Sequence, residues 1–76
     1  MFIIVTMPDG RPRLINMDYI SVISLGAQSI GFKVGTEGLL SVRFANENFA
    51  KDAFEMIVHA AERGGERVVI DLTGHQ

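Results

Sequence analysis

The sequence predicts an α+β fold: an antiparallel four-stranded β-meander followed by one amphipathic α-helix and a short C-terminal strand. Three observations carry this. Up to Phe44, apolar residues recur with a period near two, in segments separated by Gly, Pro and Asn turns. At Asn46 the period changes to about 3.6. Beyond Gly64-Gly65, a last apolar run, Val68 to Leu72, has the composition of a strand.

The first strand is Phe2 to Met7, closed by Pro8-Asp9-Gly10, a turn tripeptide whose glycine accepts a positive φ. After Pro12, Arg13 to Leu25 reads as one long or interrupted strand. Asn16 and Asp18 can hydrogen-bond their own backbone, which places a bulge or a single helical turn near Met17–Tyr19. Gly26-Ala27-Gln28 turns the chain. Ile30, Phe32 and Val34 then share one strand face, while Ser29, Gly31 and Lys33 take the other. Gly35-Thr36-Glu37-Gly38 is a second hairpin signal, and Leu40, Val42 and Phe44 repeat the alternation. Four strands joined by short turns give the meander.

In the helix, Phe49, Ala53, Met56, Ile57 and Ala60 form the apolar stripe, and Glu47, Lys51, Asp52, Glu55, His59 and Glu62 lie mostly elsewhere. Asn46 or Asn48 caps its start, Glu47 favours the positive end of the dipole, and Arg63-Gly64-Gly65 supplies a cation and a left-handed stop. The tail, residues 73–76, is polar and expected to fray.

A chain of 76 residues makes one domain, residues 1–76, since typical domains run to about 100–150 residues. With 47% hydrophobic residues and a net charge of −2, it has the means to bury a core and little self-repulsion to oppose it. Small domains nevertheless bury a modest fraction of their surface, roughly 60% near 60 residues. The sequence has no Cys, so neither a disulfide nor a thiolate zinc site can add stability. Self-association is then the most available support. The N-terminal segment lacks the basic and small-residue flanks of a signal peptide, and no apolar run approaches the roughly 20 residues needed to cross a bilayer. The expectation is a cytoplasmic protein with no membrane contact.

Chemistry-bearing patterns are few. Glu55, His59 and Glu62 share one side of the helix at metal-ligand spacing, on its solvated face. His75 sits in the polar tail. Ser21, Ser24, Ser29 and Ser41 fall at outward strand positions with no His beside them in sequence, and no phosphate-loop pattern follows Gly35 or Gly38. The expectation is therefore no enzyme, no cofactor and no metal. Arg11, Arg13, Lys33 and Arg43 offer a basic set for an alternative reading as a small nucleic-acid-binding regulatory protein. Seven Lys and Arg against nine Asp and Glu argue against it, because phosphate neutralisation supplies most of such affinity.

The first strand is apolar in both parities: Phe2 and Ile4 in one, Ile3, Val5 and Met7 in the other. Val68 and Val69 do the same in the last strand. A strand apolar on both faces must be covered twice, and one helix covers only one face. A curled sheet could take up both sets inside; the more economical answer is a partner chain or a sheet-edge pairing. The function expected is a non-enzymatic protein–protein interaction module that self-associates as a homodimer through an apolar sheet face or edge strand, or meets an unidentified protein partner, with Ile3, Val5, Met7 and Val69 as its interface.

Val5-Thr6-Met7-Pro8-Asp9-Gly10 and Asn16-Met17-Asp18-Tyr19-Ile20 resemble the opening of the small bacterial flagellar and swarming-motility protein family, which begins with a short strand, a Val-Thr-x-x-Asp-Gly turn and an Asn-x-Asp-x-Ile segment. The resemblance covers less than half the chain and ends after Val42, where a capped helix replaces the family's short terminal one. It implies a bacterial accessory protein with a non-enzymatic role in motility, and it brings no site residues with it.

Overall fold

The computed structural model describes residues 1–36, 38–65 and 67–76. The chain runs through β1 (Phe2–Thr6), β2 (Pro12–Asn16), a 3-10 turn (Met17–Tyr19), β3 (Ile20–Leu25), β4 (Ser29–Val34), β5 (Gly38–Arg43), α1 (Glu47–Glu62), β6 (Val69–Asp71) and a closing 3-10 turn (Thr73–His75). The α+β class with one helix stands. The four-stranded meander does not: the strands form two three-stranded sheets, β2-β1-β6 and β3-β4-β5. Glu37, which the sequence places in the β4–β5 turn, lies outside the described residues.

The division has a local cause. The Asn16 side-chain oxygen accepts the Asp18 N–H at 3.0 Å, which folds Met17–Tyr19 out of the extended conformation at the expected interruption. What reads as one long strand thus becomes the end of one sheet and the start of the next. The second departure is non-local: β6 pairs in parallel with β1, Phe2 opposite Val69 and Ile4 opposite Asp71. The last strand finds its partner inside its own subunit.

Ile3, Val5, Ile15 and Ile70 come from the first sheet and Ile30, Phe32 and Val42 from the second, meeting in one core closed by Phe44, Leu72 and the helix. Ala50, Ala53 and Ile57 are the buried helix residues, with Phe54 and Ala60 beside them. This rotates the stripe by about one position from the expected one: Phe49 and Met56 are 41% and 38% exposed. Two alanines on the buried line let the helix axis approach the sheet more closely than phenylalanine or methionine would. The helix ends are as the sequence predicts. Asn46 accepts the Phe49 N–H at 2.9 Å, and Gly64 and Gly65 take φ of 100° and 64°, with the Gly64 N–H returning to the Ala61 carbonyl at 3.1 Å.

The tail is tied down rather than frayed. Residues 1, 7, 11 and 17 mark the β1–β2 ladder, with Met7 N–H donating to Arg11 O and Met17 N–H to Met1 O, so the backbone groups of Phe2, Ile4 and Thr6 turn towards β6. β6 ends before it reaches Thr6. The Gln76 side-chain amide takes the vacant place, accepting the Thr6 N–H at 2.6 Å and donating to Thr6 O at 2.8 Å. Its second amide hydrogen goes to Arg43 O at 3.0 Å, at the end of β5. One side chain thus imitates a strand residue and joins the two sheets.

Ile3 and Val5, assigned by sequence to an intermolecular surface, are both 0% exposed inside this single chain. Met7 is half-buried and packs on the core, and Val69 alone of the four faces outward. Parity is the reason: the helix and second sheet cover the Ile3/Val5 face of β1, leaving Phe2 and Ile4 on the other. Ile3→Lys is expected to abolish cooperative folding, because it buries an unpaired charge. Gln76→Ala is expected to lower stability by about 1–3 kcal/mol in urea titration, by stranding backbone groups of Thr6 and Arg43.

Candidate functional site

Three surfaces stand out once the core is accounted for. The first is the outer face of the β2-β1-β6 sheet. Opposite residues across the ladders share a face, so Phe2 with Val69, and Ile4 with Leu14 and Asp71, project together away from the helix. Leu14 and Val69 are 58% and 59% exposed, and Phe2 and Ile4 are half-buried between their neighbours. Thr6, Pro12 and Asn16 complete the face. The sequence shows that β1 is apolar in both parities; which parity faces out depends on the helix docking, which it does not show. Leu14 was missed because it reads as an ordinary member of an alternating strand.

At the margin of this face the Asp71 carboxylate accepts the Thr73 hydroxyl at 2.6 Å and the Thr73 N–H at 3.0 Å. Both bonds favour the charged form, the hydroxyl most, and hold the carboxyl below its ordinary value of 3.8. They also start the closing turn that brings Gln76 to Thr6.

The second surface is an open cleft of about 570 Å³ lined by Ala27, Gln28, Ser29, Ser41, Arg43 and Glu47. Ser29 lies opposite Arg43, and Ser41 opposite Gly31, on the outer face of the second sheet. The described lining holds hydroxyls, one cation and one carboxylate, with no imidazole to act as a base. Lys33 shares this sheet face, whereas Arg11 and Arg13 belong to the first sheet's hairpin, so the four basic residues are divided between two sheets.

The third is an apolar groove of about 410 Å³ between the helix and β6, lined by Met56, His59, Ala60, Arg63, Val68 and Ile70. His59 Nδ1 lies 3.8 Å from Glu62, both side chains about two-thirds exposed, and Glu55 does not complete a three-ligand cluster among the described residues. His75 is not in a loose tail: its ring meets Phe49 edge-on, with centroids 6.4 Å apart.

Among the described residues no helix is long and apolar enough to cross a membrane. No known protein family, curated protein or solved structure matches the chain.

The depressed Asp71 carboxyl contributes stability that is present above the unfolded-state value and is lost as pH falls through the lower folded one. Asp71→Asn is expected to flatten that part of the acid-denaturation profile, read by circular dichroism across the acid range, while the parent loses stability there.

Proposed function

We propose that the protein is a non-enzymatic interaction module that self-associates as a homodimer through the outer face of the β2-β1-β6 sheet. The observation that supports this most is that Phe2, Ile4, Leu14 and Val69 lie together on a sheet face that neither the helix nor the second sheet covers. A stable dimer buries on the order of 800 Å² per partner, about one-sixth of this chain's 5057 Å² of accessible surface. A three-stranded face with a polar margin of Thr6, Asn16 and Asp71 matches the apolar centre and wet rim of such an interface.

A twofold axis through this face brings the same four residues of each copy together, which is the self-complementary arrangement that closes at two subunits. The stabilisation comes from apolar area, at roughly 25 cal/mol per Å² before the losses of association, and not from charge pairs. The resemblance of residues 5–10 and 16–20 to a family of accessory motility proteins implies the same class of role, a protein that acts by contact and catalyses nothing.

Leu14→Lys and Val69→Lys are each expected to shift the protein from dimer to monomer in sedimentation equilibrium, with unchanged circular dichroism, since both side chains are outside the core. A parent that sediments as a monomer at every concentration, or variants that sediment like a dimeric parent, would overturn the proposal.

A further inference from the structure

The groove between α1 and β6 has a property that the outer sheet face lacks: one of its walls is an open strand edge. β1 occupies one side of β6. Phe2 N–H donates to Val68 O at 2.8 Å and Leu72 N–H to Ile4 O at 2.9 Å, so Val68 and Leu72, with Ile70 between them in the same alternation, turn their backbone groups towards β1. Val69 and Asp71 therefore turn theirs to the opposite side, where no hydrogen bond reaches them among the described residues. Val68 and Ile70 send their side chains to the inner face, and there the helix contributes Met56 and Ala60 to the same apolar lining. The two β6 residues of the lining, Val68 and Ile70, thus flank Val69, whose backbone groups face away from β1.

We infer that this groove takes an extended peptide segment of a partner protein, added as a fourth strand alongside β6. Backbone N–H and C=O groups in an open edge are satisfied by another strand. The inward-pointing residues of that strand, at every second position, then lie against Met56, Ala60 and Val68 beneath the helix. The charge of the segment is set by the lining. His59 and Arg63 are its titratable groups, no carboxylate is among the described lining residues, and His59 already faces Glu62 at 3.8 Å. Arg63 makes no ion pair among the described residues. The fitting ligand alternates apolar and polar residues and carries a carboxylate for Arg63. The groove's volume, about 410 Å³, is within the usual range of roughly 300–1,000 Å³ for binding clefts.

The decisive variant is Val69→Pro. The Val69 N–H points away from β1, so proline removes no bond of the fold while it denies the added strand a donor, as proline does on natural sheet edges. The full chain is panned against a phage-displayed library of random short peptides, and an enriched peptide is measured by fluorescence polarisation. Expected are alternating apolar sequences bearing Asp or Glu, and binding weakened by about tenfold or more in both Val69→Pro and Met56→Glu. Arg63→Glu is expected to turn the preference towards Lys and Arg, and Leu14→Lys to bind as the parent does. The inference is overturned by no enrichment over bare matrix, by enriched peptides without alternation, or by undiminished binding to both Val69→Pro and Met56→Glu. It is also overturned if Val69→Pro dissociates a dimer that Leu14→Lys leaves intact, for then the edge belongs to a second copy. Peptide binding with no effect of Leu14→Lys on assembly would instead sink only the outer-face dimer.

Discussion

Strand β1 is the constraint on which the structure depends. It is the central strand of its sheet, bonded to β2 on one side and β6 on the other, and it is apolar on both faces. Its Ile3/Val5 face sets the position of everything inside: Ile15 and Ile70 flank Ile3 in register, and the second sheet and helix close over them. Among the described residues neither the helix nor the second sheet covers Phe2 and Ile4, so an outward apolar face follows from placing a two-faced strand at the centre of this sheet.

The domain compensates for its size with backbone satisfaction at the seam between its sheets. Where β6 ends, an amide side chain continues its hydrogen bonding to β1 and reaches across to β5. Asp71, by accepting from Thr73, begins the turn that delivers that side chain. The outer face, the closing turn and the seam are therefore coupled through three consecutive stretches of the last strand and tail. β6 is also the outer strand of its sheet, which leaves its other edge unpaired beside the helix. The proposed assembly through the face and the proposed strand addition at the edge would use perpendicular directions of one sheet.

Local features were legible in the sequence. The Asn46 cap, the Gly64-Gly65 stop and the break at Asn16 each depend on residues within a few positions, and the alternation of Ile30, Phe32 and Val42 fixed the inner face of the second sheet. What could not be read is non-local. Pairing of β6 with β1 joins residues at opposite ends of the chain, and nothing in Val68–Leu72 states parallel or antiparallel. The choice between Ile3 and Ile4 as the inward residue depends on where the helix docks, and the helix docks on Ala50 because small residues permit close approach, a preference that a hydrophobicity pattern underweights against Phe49. Gln76 reads as solvated tail because its role is to imitate backbone, which no side-chain pattern announces.

The central claim is that β1 is shielded on one face by its own chain and on the other by a second copy. Methyl NMR with a soluble paramagnetic probe tests both halves at once. The account predicts that the Ile3 methyls are protected at every protein concentration, whereas those of Ile4 and Leu14 broaden when the protein is dilute and become protected as concentration rises. Ile4 and Leu14 methyls that stay equally accessible across the whole concentration range, or an Ile3 methyl that is accessible in the dilute protein, would contradict it.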